Sequence, residues 1–182
     1  MNLEEKPLNQ NYIFRGKIVN LRVDEALLPN GKTAAREVVE HNGGVCVVAL
    51  TEDNQIFMVK QFRYPYGEVI YEIPAGKRDS KQEDPLACGK RELREETGMT
   101  AERFIPLGEL YPSPGYCGEI LWMYAAVGLK SGENDLDEDE FLQVERLPLQ
   151  RVVDMIMSGE IKDAKTQVAV LKVAELHRQG KL

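Results

Sequence analysis

One stretch of this 182-residue chain constrains its fold and its chemistry together: Arg91-Glu92-Leu93-Arg94-Glu95-Glu96-Thr97-Gly98-Met99. Just upstream, Asp84-Pro85 reads as a helix start, since Asp suits the N-cap and Pro the first helical position. Gly98 reads as the C-terminal stop. On the helix this predicts, Leu86 and Leu93 stand seven apart and face a core. Glu92, Glu95 and Glu96 share another face, because residues three and four apart are neighbours on a helix. Three carboxylates so close repel one another unless something positive sits among them. Hard divalent cations of the Mg²⁺ type are held by a few carboxylates together with substrate phosphates. The helix is therefore expected to form one wall of a metal-dependent phosphate-chemistry site. A Glu-rich helix taken alone is more often a solvated face, and spacing by itself leaves that alternative open.

The flanking sequence predicts mostly strands before this helix, and strands followed by helices after it. Lys17 to Asp24 alternates apolar and polar side chains, and Pro29-Asn30-Gly31 is a turn signal ahead of Ala34 to Glu40. Gly43-Gly44 opens Val45 to Leu50, an unbroken apolar run of the kind that forms a buried strand. Thr51 to Asn54 is turn-like, so Ile56 to Phe62 is expected as the hairpin partner of that strand. Further strands are expected around Leu107–Tyr111, Glu119–Val127 and Leu142–Leu147, and helices near Leu149–Ser158 and Ala164–Arg178. This order of elements fits an α/β fold with a mixed sheet layered between helices. A small antiparallel layer over residues 1–43 is expected to precede a main domain over residues 44–182.

Composition narrows the partners. A net charge of -7 argues against a nucleic-acid surface built on bulk positive charge. It is compatible with a phosphorylated small molecule, because metal ions bridge acidic protein to acidic substrate. Cys46, Cys88 and Cys117 are odd in number and widely spaced, which suits a reducing compartment. The polar, acidic start has no signal-peptide core and no apolar run approaches spanning length, so no membrane partner and a cytoplasmic location are expected. His41 and His177 have no sequence partners that would make them metal ligands.

Glu83 followed by Arg91-Glu92-Leu93-x-Glu95-Glu96-x-Gly98-Met99, with Gly76 ahead of them, resembles the Nudix box of the Nudix hydrolases. From Glu83 to Met99 every defined position of that motif is matched. There is one departure: six residues, Lys77 to Gln82, separate Gly76 from Glu83 where the family pattern has five. An extra residue in a polar surface loop costs little. Ser113-Pro114-Gly115, Glu119, Asp137-Glu138-Asp139-Glu140 and Gly159 to Thr166 are similar to the ADP-ribose and nucleoside-diphosphate-sugar pyrophosphatase branch. The likeness spans roughly residues 12 to 178.

The resemblance implies a Nudix fold, an α/β/α sandwich, and Mg²⁺-dependent hydrolysis of nucleotide sugars, with Mn²⁺ as a substitute ion. It implies a metal wall of Glu92, Glu95 and Glu96 with the carbonyl of Ala75, and Arg91 pairing with a box carboxylate such as Glu83. Glu138 is the implied base, with Glu140 as the fallback. Arg36, Arg63, Pro114, Gly115 and Glu119 are the implied substrate contacts. The N-terminal strands are implied to bridge a homodimer. ADP-ribose is the first-choice substrate, with GDP-mannose or a broader set of nucleotide sugars second. Hydrolysis of (d)NTPs or dinucleoside polyphosphates remains as an alternative within the enzyme class. A non-catalytic nucleotide-sensing module is the alternative outside it, disfavoured because such a module would be expected to lose box carboxylates that this chain keeps.

Overall fold

The computed structural model describes residues 2–132 and 141–182. The chain divides into two compact units, Met1–Gly43 with Tyr111–Ile120, and Gly44–Leu110 with Leu121–Leu182.

The first unit is an antiparallel sheet in the order β1 (Lys6–Arg15), β2 (Asn20–Leu27), β3 (Thr33–Glu40). The Pro29-Asn30-Gly31 signal lies in the connection between β2 and β3, where Gly31 takes φ +81°, a left-handed conformation that glycine adopts without a Cβ penalty. The segment Tyr111–Ile120 joins this unit through β3. Val39 N–H donates to Tyr116 O at 2.8 Å, and Gly118 N–H donates to Val39 O at 2.9 Å.

The second unit holds two sheets and three helices. One sheet is mixed, in the order β7 (Ala75–Lys77), β4 (Gly44–Ala49), β9 (Leu121–Ser131), β8 (Met99–Leu110). The other is antiparallel, β10 (Leu142–Pro148), β5 (Gln55–Arg63), β6 (Glu68–Glu72). The helices are α1 (Pro85–Thr97), α2 (Leu149–Met157) and α3 (Ala164–Arg178). The fold is α/β, as expected.

β4 shows why the sequence reads as a buried strand. All six of its residues are buried, and successive side chains leave opposite faces of the sheet. Cys46 and Val48 enter a core with Val152 and Met155 of α2 and Val170 and Val173 of α3. Val47 and Ala49 enter a second core with Leu93 of α1. The mixed sheet is thus sandwiched between helices, which is what an apolar run without alternation requires.

One expectation fails here. β5 is not the hairpin partner of β4: apart from an isolated bridge, Leu50 to Ile56, β4 pairs with β9 in parallel and with β7 antiparallel. β5 pairs with β10 and β6 instead. The turn is where the sequence puts it, with Thr51 N–H donating to Gln55 O at 2.9 Å. Its bend sends β5 into a different sheet, and local turn chemistry does not encode which distant strand closes each edge.

Candidate active site

α1 is capped as its sequence predicts. Asp84 accepts from Ala87 N–H at 2.8 Å. Gly98 closes the helix at φ 69°, its N–H donating to Arg94 O at 2.8 Å. Leu93 is fully buried in the α1-side core, a burial that contributes about 1.5–3 kcal/mol and fixes the helix rotation. Leu86 is only half-buried. With Leu93 pinned, Glu92 and Glu96 are buried, at 7% and 3% exposure, while Glu95 stays half-buried.

These carboxylates are not left to repel one another. Arg91 sits among them, donating through Nη1 to Glu92 at 2.7 Å and Glu95 at 3.1 Å, and through Nη2 to Glu83 at 3.3 Å. Burial works against the charge on Arg91, but the field of Glu92 and its other neighbours outweighs it and raises the pKa above the ordinary arginine value. Glu96 turns the other way and accepts from Ala75 N–H at 3.1 Å. Gly76, next in β7, is the closest approach of all. A Cβ placed there would lie 1.9–2.2 Å from the Glu92 carboxylate. Despite the longer loop, Gly76 therefore faces the box helix directly. The clash is with the end of a side chain, so the backbone can stay, but Gly76→Ala is expected to lower stability by about 1–3 kcal/mol as the buried Glu92 carboxylate is displaced. Pushed off Arg91, Glu92 should lose its function, lowering turnover by about tenfold to a hundredfold. Turnover and thermal melting measured side by side check this.

The carboxylates on this face are hard oxygen donors of the kind that suit a divalent cation. The thiol beside them does not compete: burial, then the field of Glu92, pushes Cys88 up to about 12, so it stays protonated. Among the described residues no three acidic, histidine or cysteine side chains already stand at chelating separation, and Arg91 pairs with both Glu92 and Glu95.

Beside this wall lies a second charged cluster, drawn from β5, β6 and the start of α3. Glu72, at 1% exposure, receives Arg63 in a two-pronged pair, Nε to Oε1 at 2.5 Å and Nη2 to Oε2 at 2.7 Å. Lys165 also donates to Glu72 and pairs with Asp163 at 3.1 Å. Thr166 Oγ1 accepts from Ile73 N–H at 3.0 Å and donates to Asp163 at 2.6 Å. The start of α3 is thereby tied to Ile73-Pro74, the link between β6 and β7. Glu72 was not singled out from sequence; its position immediately before Ile73-Pro74-Ala75-Gly76, in an otherwise apolar stretch, is the signal that marks it.

The expected substrate contacts fall in separate places. Arg63 belongs to the cluster on Glu72. In the N-terminal unit, Arg36 forms a two-pronged pair with Glu5, at 2.8 and 2.6 Å. Pro114 and Gly115 occupy the turn in which Cys117 N–H donates to Ser113 O at 2.9 Å. Glu119 lies 3.4 Å from His41 Nδ1. Glu138 and Glu140 lie outside the described residues.

A mixed sheet between helices, edged by glutamates braced on an arginine, is the build of an enzyme that acts on phosphate anhydrides through divalent cations. The NUDIX domain model matches residues 40–167, and the nucleoside diphosphate sugar hydrolase N-terminal domain model matches residues 5–39. The chain belongs to the Nudix family. It is 44% identical to an ADP-ribose pyrophosphatase of Bacillus subtilis, over 93% of this chain and 92% of that one. It is 46% identical to a methanol dehydrogenase activator of Bacillus methanolicus, over 92% and 91%. It is 30% identical to a GDP-mannose pyrophosphatase of Yersinia enterocolitica, over 97% and 95%. A crystal structure of an ADP compounds hydrolase shares the fold, with a TM-score of 0.85 at 22% identity and full coverage of both chains. Among the described residues no helix is long and apolar enough to cross a membrane.

Proposed function

We propose that this protein hydrolyses the pyrophosphate bond of nucleoside diphosphate sugars in a Mg²⁺-dependent reaction, with ADP-ribose, giving AMP and ribose 5-phosphate, as first-choice substrate. GDP-mannose is the second. The observation that carries the reading is the face of α1, where Arg91 joins Glu92 and Glu95, Gly76 lies against Glu92, and Glu96 accepts from the Ala75 amide. The 44% identical relative named as an ADP-ribose pyrophosphatase supports the choice of substrate.

In this reading Glu92, Glu95, Glu96 and the Ala75 carbonyl hold Mg²⁺, for which Mn²⁺ can substitute. The bound cation supplies charge neutralisation on the attacking and leaving oxygens of the pyrophosphate. Arg91 keeps the carboxylates apart and aimed, and Glu83 holds Arg91 from the opposite side. Arg63, held in plane by Glu72, offers its remaining donors to phosphate, a geometry the forked guanidinium suits. Arg36 exchanges Glu5 for substrate, and the Pro114-Gly115 turn with Glu119 shapes the sugar end. Glu138 takes the proton of the attacking water. Two copies associate through the N-terminal strands, where Leu8, Ile13 and Phe14 are exposed. A cytoplasmic location suits the free thiols of Cys46, Cys88 and Cys117.

The test is phosphatase-coupled phosphate release over ADP-ribose, GDP-mannose, UDP-glucose, diadenosine polyphosphates and dNTPs. Turnover of ADP-ribose that a chelator abolishes and Mg²⁺ restores is expected. Preferential turnover of dNTPs, or none on any substrate, would overturn the proposal. The same assay on Glu138→Gln reports the base, through lower turnover at similar KM, and light scattering on the same preparation reports the dimer.

A further inference from the structure

We infer that Arg78 is a positioning residue for the acidic helix face, the clamp that holds the loop between Gly76 and Glu83 in working register. This loop is one residue longer than the family motif, and an extra residue spans up to ~3.3–3.6 Å. Unless that length is taken up, Glu83 would slide out of reach of Arg91.

Arg78 takes it up from inside the loop. It is 8% exposed although it belongs to a polar surface turn. Its Nε donates to Glu83 O at 2.8 Å, and its Nη2 donates to the carbonyls of both Lys81 and Glu83. The loop backbone thus wraps around the guanidinium, whose fork of donors can serve several carbonyls at once. The guanidinium carbon lies over the Trp122 ring of β9, 4.6 Å from its centroid. Trp122 is itself held by its indole N–H, which donates to Glu109 at 3.2 Å.

The consequence appears at the Glu83 side chain. With its backbone held by Arg78, one carboxylate oxygen accepts from Asp79 N–H at 2.7 Å and the other meets Arg91 at 3.3 Å. Arg91 also donates to Lys77 O at 3.3 Å, closing the neck of the loop. A continuous chain of contacts therefore runs from Trp122 through Arg78, Glu83 and Arg91 to Glu92 and Glu95. Through these hydrogen bonds Arg78 acts on the loop backbone and on Glu83.

The inference rests on the proposed metal-dependent reaction, so two kinds of readout are needed. On the full chain, Mn²⁺ affinity by calorimetry and hydrogen exchange over residues 78–84 are compared for the native protein, Arg78→Ala and Arg78→Lys. Arg78→Ala is expected to weaken Mn²⁺ binding about tenfold to a hundredfold, as loss of outer partners does at metal sites, and to speed exchange in the loop. In turnover, the metal concentration for half-activity should rise more than the substrate KM. Arg78→Lys should fall between, since an ammonium on a flexible stem serves fewer carbonyls in fixed geometry. Native Mn²⁺ affinity and native loop protection in Arg78→Ala would overturn the clamp. If Arg78→Ala does not fold, Trp122→Leu, which keeps Arg78 but removes the ring beside it together with the indole bond to Glu109, is expected to move the same readouts in the same direction, and no movement overturns the clamp. Failure of the native protein to bind Mn²⁺ would overturn the proposed reaction, and loop exchange would still decide whether Arg78 organises Glu83.

Discussion

Glu96→Gln is expected to lower turnover by more than about a hundredfold while moving the thermal midpoint little. Loss of the outer partners of metal ligands already costs about tenfold to a hundredfold, and Glu96 is proposed as a ligand itself. The fold should tolerate the change for a specific reason. Glu96 is 3% exposed and accepts from Ala75 N–H at 3.1 Å. An amide oxygen can accept that same bond, so the Ala75 amide keeps its partner. The charge is what disappears, and with it the affinity for a divalent cation. Measuring turnover against Mg²⁺ concentration alongside thermal unfolding separates the two effects. Near-native turnover in the variant would remove Glu96 from the metal wall.

Glu72→Ala is expected to be the most destabilising single substitution near the site, by about 3–5 kcal/mol, the cost of removing one partner from a buried ion pair. The outcome should lie toward the lower end, because Lys165 keeps Asp163 at 3.1 Å and the Arg63 side chain is 38% exposed. Its pH dependence has a definite sign. Burial alone would raise the Glu72 pKa, but the hydrogen bonds from Arg63 and the charge of Lys165 outweigh it, so the folded value lies below the ordinary 4.5. A carboxylate with a lowered folded pKa stabilises the protein above its unfolded value, and that stabilisation is lost as pH falls through the folded value. The gap between native protein and variant should therefore be full near neutral pH and shrink once the pH drops below 4.5. Urea unfolding across that range checks it. A gap that widened on acidification would mean that Glu72 is not the ionised centre of the cluster. Turnover should fall as well, because Arg63 would lose the two-pronged contact that holds its plane.

Helix α1 was legible because its signals are local. The cap at Asp84, proline at the first position, Leu93 inward and Gly98 at the end all act within one or two turns. Their physics does not depend on distant chain. The same holds for β4, whose unbroken apolar run states that both faces are covered, and for α2 and α3. The mispaired hairpin shows where this stops. Thr51 to Asn54 encodes a turn, but which strands flank β4 is decided by β9, more than seventy residues away. No short-range pattern carries that information.

The site divides along the same line. By itself the sequence determined the composition of the acidic face: which glutamates lie on one side of α1, that something positive must sit among them, and that the chain is similar to Nudix hydrolases. The tertiary structure decided how those charges are resolved. It set Arg91 between Glu92, Glu95 and Glu83, brought Gly76 against Glu92, turned Glu96 to the Ala75 amide, and assembled Glu72 with Arg63 and Lys165 from three separate elements. It also folded a polar loop around Arg78 and set its guanidinium over Trp122. The reason is the range of the forces. Helix periodicity and capping act over a few residues along the chain, whereas ion pairing and close packing act between groups adjacent in space, whatever their separation in sequence.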